Sequence, residues 1–451
     1  MQAPLTSLGR MVEFGRDYLL TAWWIAAAPI FATALAFSLL GDARPHRSSL
    51  TEILTNTIVA RGPLQSVPAT VDLLNSWSHP LKITSVKATP VLVPISKSHG
   101  ELWVRRTHID RTIVEIETDA GISGVGETRC VWAAEIINNK FAPQLIGLPP
   151  LARGLMRSRC LTRGFDYGFP EYQMERSAYA AVDLAAWDIA GKYADLPLYE
   201  MIGGLQRDKA PFVAYGYPAN PELCGTTRGV PSRLADWAAE AVELTGATYF
   251  EFKIGRCNDL QCDIDTVHAV REALGHKTEI GVDVNMAYSS EAATYFLDRT
   301  RSAGISNVEE PVASLSEMDR LRADYGIPIS SHCTNLDAIK PYPNIDAVIP
   351  DISLLGGIDS TLELLAAARA LGKRCWLRSM WELGVAFAAM CHLGISRPEL
   401  SRPAQSLAGF AEDDLIDGQP WRVRDGGVRP PDRPGLGVEL NHRALAKYKV
   451  A

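Results

Sequence analysis

The chain has 451 residues, of which 47% are hydrophobic and 22% charged, and these values predict two or three globular domains rather than disorder. The net charge of −7 gives no basic surface, so we expect no nucleic-acid partner. The eight cysteines are scattered without a CxxC pair, which is typical of reduced thiols in a cytoplasmic chain.

The N-terminal part of the chain does not match the rest. Residues 18–40 form an uncharged run of about 23 residues, which is long enough to span a bilayer. Charged residues lie on both sides of the run, so the positive-inside rule gives no orientation. A membrane anchor, a buried helix and a signal sequence are the alternatives, and the long polar lead weighs against a signal sequence. Residues 48–81 are predicted to be a polar linker.

Part of this segment resembles a known membrane helix. Within residues 10–42, the stretches 15–25 and 36–42 are similar to the last membrane helix of dipeptide-type ABC transporter permeases. Those proteins need several such helices and a partner ATPase, so the resemblance implies no transport activity. We interpret residues 1–47 as a hydrophobic helix that is either a remnant of a fused or misassigned gene start or a membrane anchor through residues 18–40, and we slightly favour the first.

From Lys82 onward the pattern is that of a folded domain. Apolar residues alternate in residues 83–93 and again in 113–118, which predicts two strands. Asp119 and Gly121 predict a turn after the second strand. Residues 130–205 repeat Ala, Leu and Trp at helical spacing, so we expect helices there.

The remainder of the chain alternates short apolar runs with helical stretches. The runs lie at residues 212–215, 249–254, 280–284, 307–309, 327–330, 347–349 and 375–377. Nearly all-apolar strands that alternate with helices predict a parallel sheet, and their number favours a closed (β/α) barrel. An open doubly wound sheet is the alternative, but no GxGxxG motif follows the first strand.

Polar residues follow these strands at the C-terminal ends, where a barrel has its active site. Lys253, Asp283, Glu309, His332 and Asp351 leave successive strands in that order. Carboxylate oxygens suit Mg²⁺, which can neutralise a substrate carboxylate and stabilise the enediolate formed on its deprotonation. A lysine amine beside that cation can lose its proton and act as the base. A single such carboxylate is more often a helix N-cap, but the ordered set outweighs that alternative.

Several motifs are shared with a known family. They are residues 118–121 and 124–127, 178–183, 186–189, 191–192, 197–198, 203–204, 253–255, 283–285, 309–311, and Asp351 followed by 356–357. With these motifs, residues 82–451 resemble the mandelate racemase and muconate lactonizing enzyme group of the enolase superfamily. The segments 381–384, 392–393 and 434–439 look most like its glucarate-dehydratase-like members.

The resemblance implies an α/β fold with three parts. Residues 82–210 would form an α+β capping domain that contains the signature helices of the family. Residues 211–410 would form a modified (β/α)8-type barrel with the metal site, and residues 411–451 would return to the capping domain. Members of the family often form even-numbered assemblies, so a homo-oligomer is also implied.

The resemblance also implies roles for single residues. Asp283 and Glu309 would be Mg²⁺ ligands, and Lys253 would be the base. The third ligand position, usually Asp, Glu or Asn, holds His332, which suits Mg²⁺ poorly, so a contact with a substrate oxygen is an equal alternative. The family's lysine pair on the second strand is here Glu251 and Lys253, so only the second lysine is kept.

The sixth and seventh strands depart from several family members. Lactonizing enzymes carry a lysine shortly before the glycine pair, but Ser353 and Leu354 stand there, which counts against cycloisomerase and dipeptide-epimerase chemistry. Racemases and many dehydratases pair the sixth-strand aspartate, here Asp351, with a seventh-strand histidine, whose position is taken by Arg378. An arginine cannot act as a base at ordinary pH but can hold a carboxylate with two hydrogen bonds. Two-base racemisation is therefore disfavoured.

We predict a Mg²⁺-dependent dehydratase, a hydro-lyase, acting on an acid sugar similar to glucarate or galactarate. Lys253 would take the proton beside the carboxylate, and His332 or Asp351 would assist loss of the β-hydroxide. Substrate contacts are predicted at Asn285, Arg378, Lys97 and Glu382, although Glu382 also fits a structural role. A one-base epimerase or isomerase of another carboxylate is one alternative. A family member that only binds a ligand, or is inert, is the other.

Overall fold

The computed structural model describes residues 81–96, 107–161, 170–218, 229–256, 259–418 and 422–450. The predicted hydrophobic helix at residues 18–40, the linker before residue 81 and the substrate candidate Lys97 lie outside the described residues. Every helix in the described ranges is too short or too polar to cross a membrane.

A three-stranded antiparallel sheet begins the described chain. Its strands are β1 (Ile83–Pro94), β2 (His108–Thr118) and β3 (Ser123–Arg129), which pair in the order β1-β2-β3. Val91 and Val93 are buried, as the apolar alternation predicts. Gly121, with φ of 73°, makes the turn between β2 and β3. The predicted strands and turn are confirmed.

Helices then cover one face of this sheet. They are α1 (Ala133–Ile136), α2 (Ala142–Leu145), α3 (Arg153–Cys160), α4 (Pro170–Ala194) and α5 (Leu198–Met201), with a π-helical turn at Ile137–Phe141. We call α4 the signature helix. Its residues 177–191 are all buried, so the helix is covered on every side and is apolar nearly all round.

A buried carboxylate of the signature helix holds the start of a second helix. Asp183 accepts hydrogen bonds from the backbone N–H groups of Ile358, at 2.6 Å, and Asp359, at 3.3 Å. These groups open helix α12 (Ile358–Ala370), whose own N-cap, Gly357, has no side chain to offer. A Cβ at Gly357 would lie 2.3 Å from Asp183 Oδ2. The two separate motifs that contain Asp183 and Gly357 therefore meet in one contact.

Parallel strands alternate with helices in the rest of the chain. Seven strands pair in chain order among the described residues: β5 (Ala214–Gly216), β6 (Tyr249–Lys253), β7 (Glu279–Asp283), β8 (Asn307–Glu309), β9 (Ile329–Ser331), β10 (Ala347–Val348) and β11 (Arg374–Cys375). The helices between and after them are α6 (Val230–Thr245), α7 (Leu260–Leu274), α8 (Ser290–Thr300), α9 (Leu315–Tyr325), α10 (Leu336–Ile339), α11 (Ile352–Leu355), α12 and α13 (Gly384–Ser396). Before β5, the short strand β4 (Ala210–Pro211) pairs with β12 (Gly427–Val428).

Residues 400–405 close the ring of strands. Leu400 forms a parallel bridge with Cys375 of β11, and Ala404 forms one with Phe212, just before β5. This segment therefore lies between the last and the first strands of the parallel sheet. The sheet forms a closed barrel, as the count of apolar runs predicted, with an irregular segment in the place of one strand.

A buried ion pair joins the capping sheet to the barrel. Arg111 on β2 and Glu127 on β3 are each 1% exposed, and their side chains are 2.6 Å apart. Arg111 also donates to the Met380 carbonyl at 3.0 Å, and Glu127 accepts from the backbone of Leu383 at 2.7 Å. Because both charges are paired and hydrogen-bonded, their burial is tolerated, and they fix the loop after β11 against the cap.

The C-terminal segment packs on the capping domain. Lys449, which follows α14 (His442–Tyr448), forms a bridge with Val91 of β1. Asp188 of the signature helix accepts from Leu436 N at 2.8 Å and from Val125 N at 3.0 Å. The chain thus returns to the sheet from which its described part begins.

His392 ties the barrel to this C-terminal segment. It is fully buried on α13; its Nδ1 accepts from the Tyr199 backbone at 3.2 Å, and its Nε2 donates to the Leu436 carbonyl at 3.0 Å. These two bonds require the neutral ring protonated at Nε2. Burial lowers the pKa of His392 from 6.5 to about 4. The residue is therefore a neutral structural link.

We expect Gly357→Ala to lower the free energy of unfolding by about 1–3 kcal/mol more than Gly372→Ala does. Both glycines have positive φ, 112° and 69°, but a Cβ at Gly372 meets no atom within 4 Å. The control therefore reports backbone strain alone, about 1–2 kcal/mol. Denaturant midpoints of the full chain measure both effects, and equal losses would show that the Asp183 contact has room to spare.

We expect acid to destabilise the protein through His392. The unfolded chain binds a proton on this residue near pH 6.5, whereas the folded protein does so only near pH 4. The unfolded state therefore gains protons first as the pH falls, and about 3 kcal/mol of stability is lost across this window. Unfolding curves from pH 7 to 4 should show a steeper loss for the native chain than for His392→Gln. Parallel curves would contradict this assignment.

Candidate active site

The register of the parallel strands places three predicted residues in one row. Lys253 is the register partner of Asp283, and Asp283 is the partner of Glu309. Each is the last residue of its strand, and side chains at paired positions point to the same side of a sheet. Their polar groups therefore meet at the C-terminal end of the barrel.

His332 completes a cluster with these carboxylates. One ligand atom from each of Asp283, Glu309 and His332 lies within 4.8 Å of the others. His332 Nε2 contacts Glu309 Oε1, and Lys253 Nζ contacts Asp283 Oδ2. Two buried carboxylates and an imidazole that converge in this way fit a divalent cation.

The charges of the cluster favour a bound cation. Burial alone would raise the pKa of Asp283, but the charges of Lys253 and His332 hold it below its ordinary value. Burial and then the charge of Asp283 raise the pKa of Glu309. Burial and the charges of Glu309 and Asp283 raise the pKa of Glu251, which is fully buried beside them. Three carboxylates in a dry site carry more negative charge than their neighbours offset, and a divalent cation would compensate for it.

Glu310, the second carboxylate of the predicted pair, points elsewhere. Its Oε1 accepts from Ser331 Oγ and from the His332 backbone N–H, both at 2.6 Å. Glu310 adopts a φ of 49°, a left-handed conformation that is uncommon for this residue type. It therefore fixes the end of β9, and with it the backbone of His332.

A cavity of about 220 Å³ opens beside the cluster. Its lining includes Tyr215, Tyr217, Lys253, Arg256, Asp283, Asn285, Glu309, His332, Arg378, Ser379, Met380, Trp381, Gln405 and Leu407. The rings of Tyr217 and Trp381 lie 5.9 Å apart and form one wall. Basic groups and carboxylates face the same space, so the cavity suits a small anionic molecule that also has a carbon face.

Two predicted substrate contacts line this cavity. Asn285 accepts from Lys253 Nζ at 2.7 Å and also contacts Arg256. Arg378 lines the cavity as well, and its buried Nε has no hydrogen-bond partner among the described residues. A buried donor without a partner is costly, and a bound carboxylate would satisfy it.

Two other predicted residues lie behind the cavity wall. Asp351 is 6% exposed and caps α11, where it accepts from Leu354 N at 2.6 Å. Glu382 is 3% exposed and accepts from the hydroxyls of Ser379 and Ser406, each at 2.6 Å. Neither residue is among those that line the cavity, so each touches protein at the polar contacts described here.

Sequence reasoning missed several residues of the site. Tyr215 and Tyr217 follow the first predicted strand, and the rule that barrel sites form at strand ends could have found them. Arg256 follows Lys253 closely and could have been found in the same way. Gln405 lies on the irregular closing segment, which has no strand periodicity, so no local signal marked it.

The capping domain and the barrel both match one family. The family model described as the mandelate racemase / muconate lactonizing enzyme N-terminal domain matches residues 83–203, and the enolase C-terminal domain-like model matches residues 233–444. The chain belongs to the mandelate racemase and muconate lactonizing enzyme family. The resemblance of residues 82–451 is thereby confirmed, whereas the permease resemblance of residues 10–42 finds no support in these comparisons.

Relatives in this family carry out different reactions. A chloromuconate cycloisomerase of Cupriavidus necator is 27% identical over 389 residues, which cover 82% of this chain and 100% of the relative. A probable glucarate dehydratase of Streptomyces coelicolor is 28% identical over 406 residues, which cover 81% of this chain and 90% of the relative. Family membership therefore shows an enzyme scaffold without selecting the reaction.

Solved structures show the same fold. An isomerase from Streptomyces coelicolor is 30% identical with a TM-score of 0.71, covering 82% of this chain and 97% of that one. An enolase from Thermobispora bispora, complexed with magnesium and formate, is 25% identical with a TM-score of 0.70, covering 81% and 92%. Magnesium is thus found in a family structure similar to this chain.

Proposed function

We propose that this protein is a Mg²⁺-dependent dehydratase of an acid sugar similar to glucarate or galactarate. The carrying observation is that the Lys253 amine lies against a convergent Asp283, Glu309 and His332 cluster in a cavity lined by further basic groups. Those three residues would hold the cation. When bound, Mg²⁺ would neutralise the substrate carboxylate and stabilise the enediolate that deprotonation produces.

Lys253 is the proposed base. Its side chain is 12% exposed, and its amine lies between Asp283 Oδ2 and Asn285 Oδ1 at the cavity wall. These two acceptors fix the amine where it can take the proton beside a substrate carboxylate. The other lysine position of the family holds Glu251, so one face of the substrate would meet a lysine base.

Loss of the β-hydroxide needs a second group. Of the two candidates, His332 lines the cavity, whereas Asp351 caps α11 behind it. We therefore favour His332 as the acid where it is not a metal ligand, and Asp351 as a group that acts on Arg378 through its charge.

Substrate recognition is proposed to depend on Arg378 and Asn285. The unpartnered Nε of Arg378 supports a carboxylate or hydroxyl contact, and the Tyr217 and Trp381 rings would pack on the carbon chain. Glu382 stays a substrate-contact prediction, although its acceptor contacts with Ser379 and Ser406 support a structural role. Lys97 stays a prediction too, as do a cytoplasmic location, a homo-oligomer and membrane contact through residues 18–40.

A one-base epimerase or isomerase is the second candidate function. Relatives in the family include an N-succinyl-L-Arg/Lys racemase of Bacillus cereus and a D-galactarolactone cycloisomerase of Agrobacterium fabrum. The same lysine and metal cluster would serve that reaction. It would place solvent deuterium in the product without loss of water, whereas a dehydratase forms a 2-keto acid. An inert chain would do neither across the same substrates.

We expect Lys253→Met to abolish proton abstraction while Mg²⁺ binding persists. Purified protein should be screened against mono- and diacid sugars for 2-keto product, with Mg²⁺ and after chelation. The variant should lose about 10²–10⁴-fold in kcat because general base catalysis contributes that factor. Lys277→Met, an exposed lysine before β7, is the matched control. Turnover that survives in Lys253→Met, or that ignores chelation, would contradict the assigned mechanism.

We expect Arg378→Met to weaken substrate binding. Loss of a charged hydrogen bond of about 1.5–3 kcal/mol predicts a kcat/KM lower by about 10–150-fold, mainly through a higher KM. Arg374→Met is the matched control, because Arg374 begins the same strand at its other end and pairs with Asp346 at 3.5 Å. An unchanged KM in Arg378→Met would remove this residue from the substrate site.

A further inference from the structure

Gln405 joins two buried carboxylates beside the proposed metal site. The residue is 3% exposed, and its backbone N–H donates to Leu377 of the neighbouring strand at 2.9 Å. Its side-chain Nε2 donates to Glu309 Oε2 at 2.7 Å and to Glu251 Oε1. Both hydrogens of the amide are therefore directed at carboxylate oxygens.

Glu251 determines which way this amide faces. Glu251 is fully buried on β6, and its second oxygen, Oε2, has no hydrogen-bond partner within the described residues. Were the amide flipped, its carbonyl oxygen would face Glu251 and Glu309, and the repulsion in a dry site would be costly. The pair of acceptors therefore selects the donating orientation of Gln405.

Glu309 is held from two directions as a result. Gln405 occupies its Oε2, while its Oε1 contacts His332 Nε2. A carboxylate that is fixed at both oxygens keeps one rotamer, and the groups behind a ligand tune metal affinity in this way. Because Gln405 lies on the segment 400–405 that closes the barrel, the closure itself supports the ligand.

We propose that Gln405 is a positioning residue for the metal ligand Glu309, and that Glu251 acts through Gln405 by fixing its amide. This proposal rests on the proposed metal site. It assigns a use to the carboxylate that stands where the family has a lysine. The Glu251 side chain would support the site without touching substrate or metal.

The first test measures Mg²⁺ affinity by calorimetry on the full chain, without substrate. Gln405→Met keeps the length of the side chain and removes both donors, so we expect Mg²⁺ to bind about 10–100-fold more weakly. Gln173→Met is the matched control, because Gln173 donates through Nε2 to Leu354 at 3.3 Å, away from the cluster. Equal affinity of Gln405→Met and the native chain overturns the proposal.

The second test asks whether Glu251 acts through Gln405. Glu251→Leu should weaken Mg²⁺ binding in the native background and have no further effect in Gln405→Met. Glu251→Gln keeps an acceptor for the amide and should lose less affinity than Glu251→Leu. Strictly additive losses in the double variant would overturn the linkage, since independent sites add. Circular dichroism and thermal midpoints without Mg²⁺ confirm that each variant is folded.

The two proposals fail in different ways. If the native chain does not bind Mg²⁺, the metal site and the proposed function are both wrong. If the native chain binds Mg²⁺ and Gln405→Met binds it equally, only the positioning role is wrong. If Gln405→Met does not fold, Glu251→Leu against Glu251→Gln still decides the question through their Mg²⁺ affinities.

Discussion

In-register pairing of β6, β7 and β8 is the constraint on which the site depends. Lys253, Asp283 and Glu309 face the same side only because each ends its strand at the same level. A slip of one residue in any pair would turn that side chain to the opposite face of the sheet. The register is in turn fixed by the apolar residues that precede these ends, such as Phe252 and Val282, which are fully buried.

Much of this arrangement follows from the sequence. Apolar runs that alternate with helices predict the barrel, and the rule that strand ends carry the site then selects Lys253, Asp283 and Glu309. The capping hairpin and its turn at Gly121 are equally readable, because alternation and turn chemistry are local signals. Asp183 and Gly357 could be recognised as motifs, but their contact spans the chain and required the structure to be seen.

The remainder depends on distant contacts that no local pattern encodes. Glu310 was expected beside Glu309 at the site, yet Ser331 and His332 N–H groups draw its carboxylate away. Asp351 sits behind the cavity because the helix it caps begins at the next residue. Gln405 reaches the cluster from a segment with neither strand nor helix periodicity. Residues that act through others are hard to predict, since their role exists only once the partners are assembled.

The return of the C-terminal segment has a consequence for synthesis on the ribosome. Val91 and Asp188 are made early, yet their partners Lys449 and Leu436 are among the last residues translated. The nascent capping sheet must therefore wait with apolar surface uncovered until the chain is released. Chaperone dependence and slow maturation are the expected costs of joining both ends of the described chain in one layer.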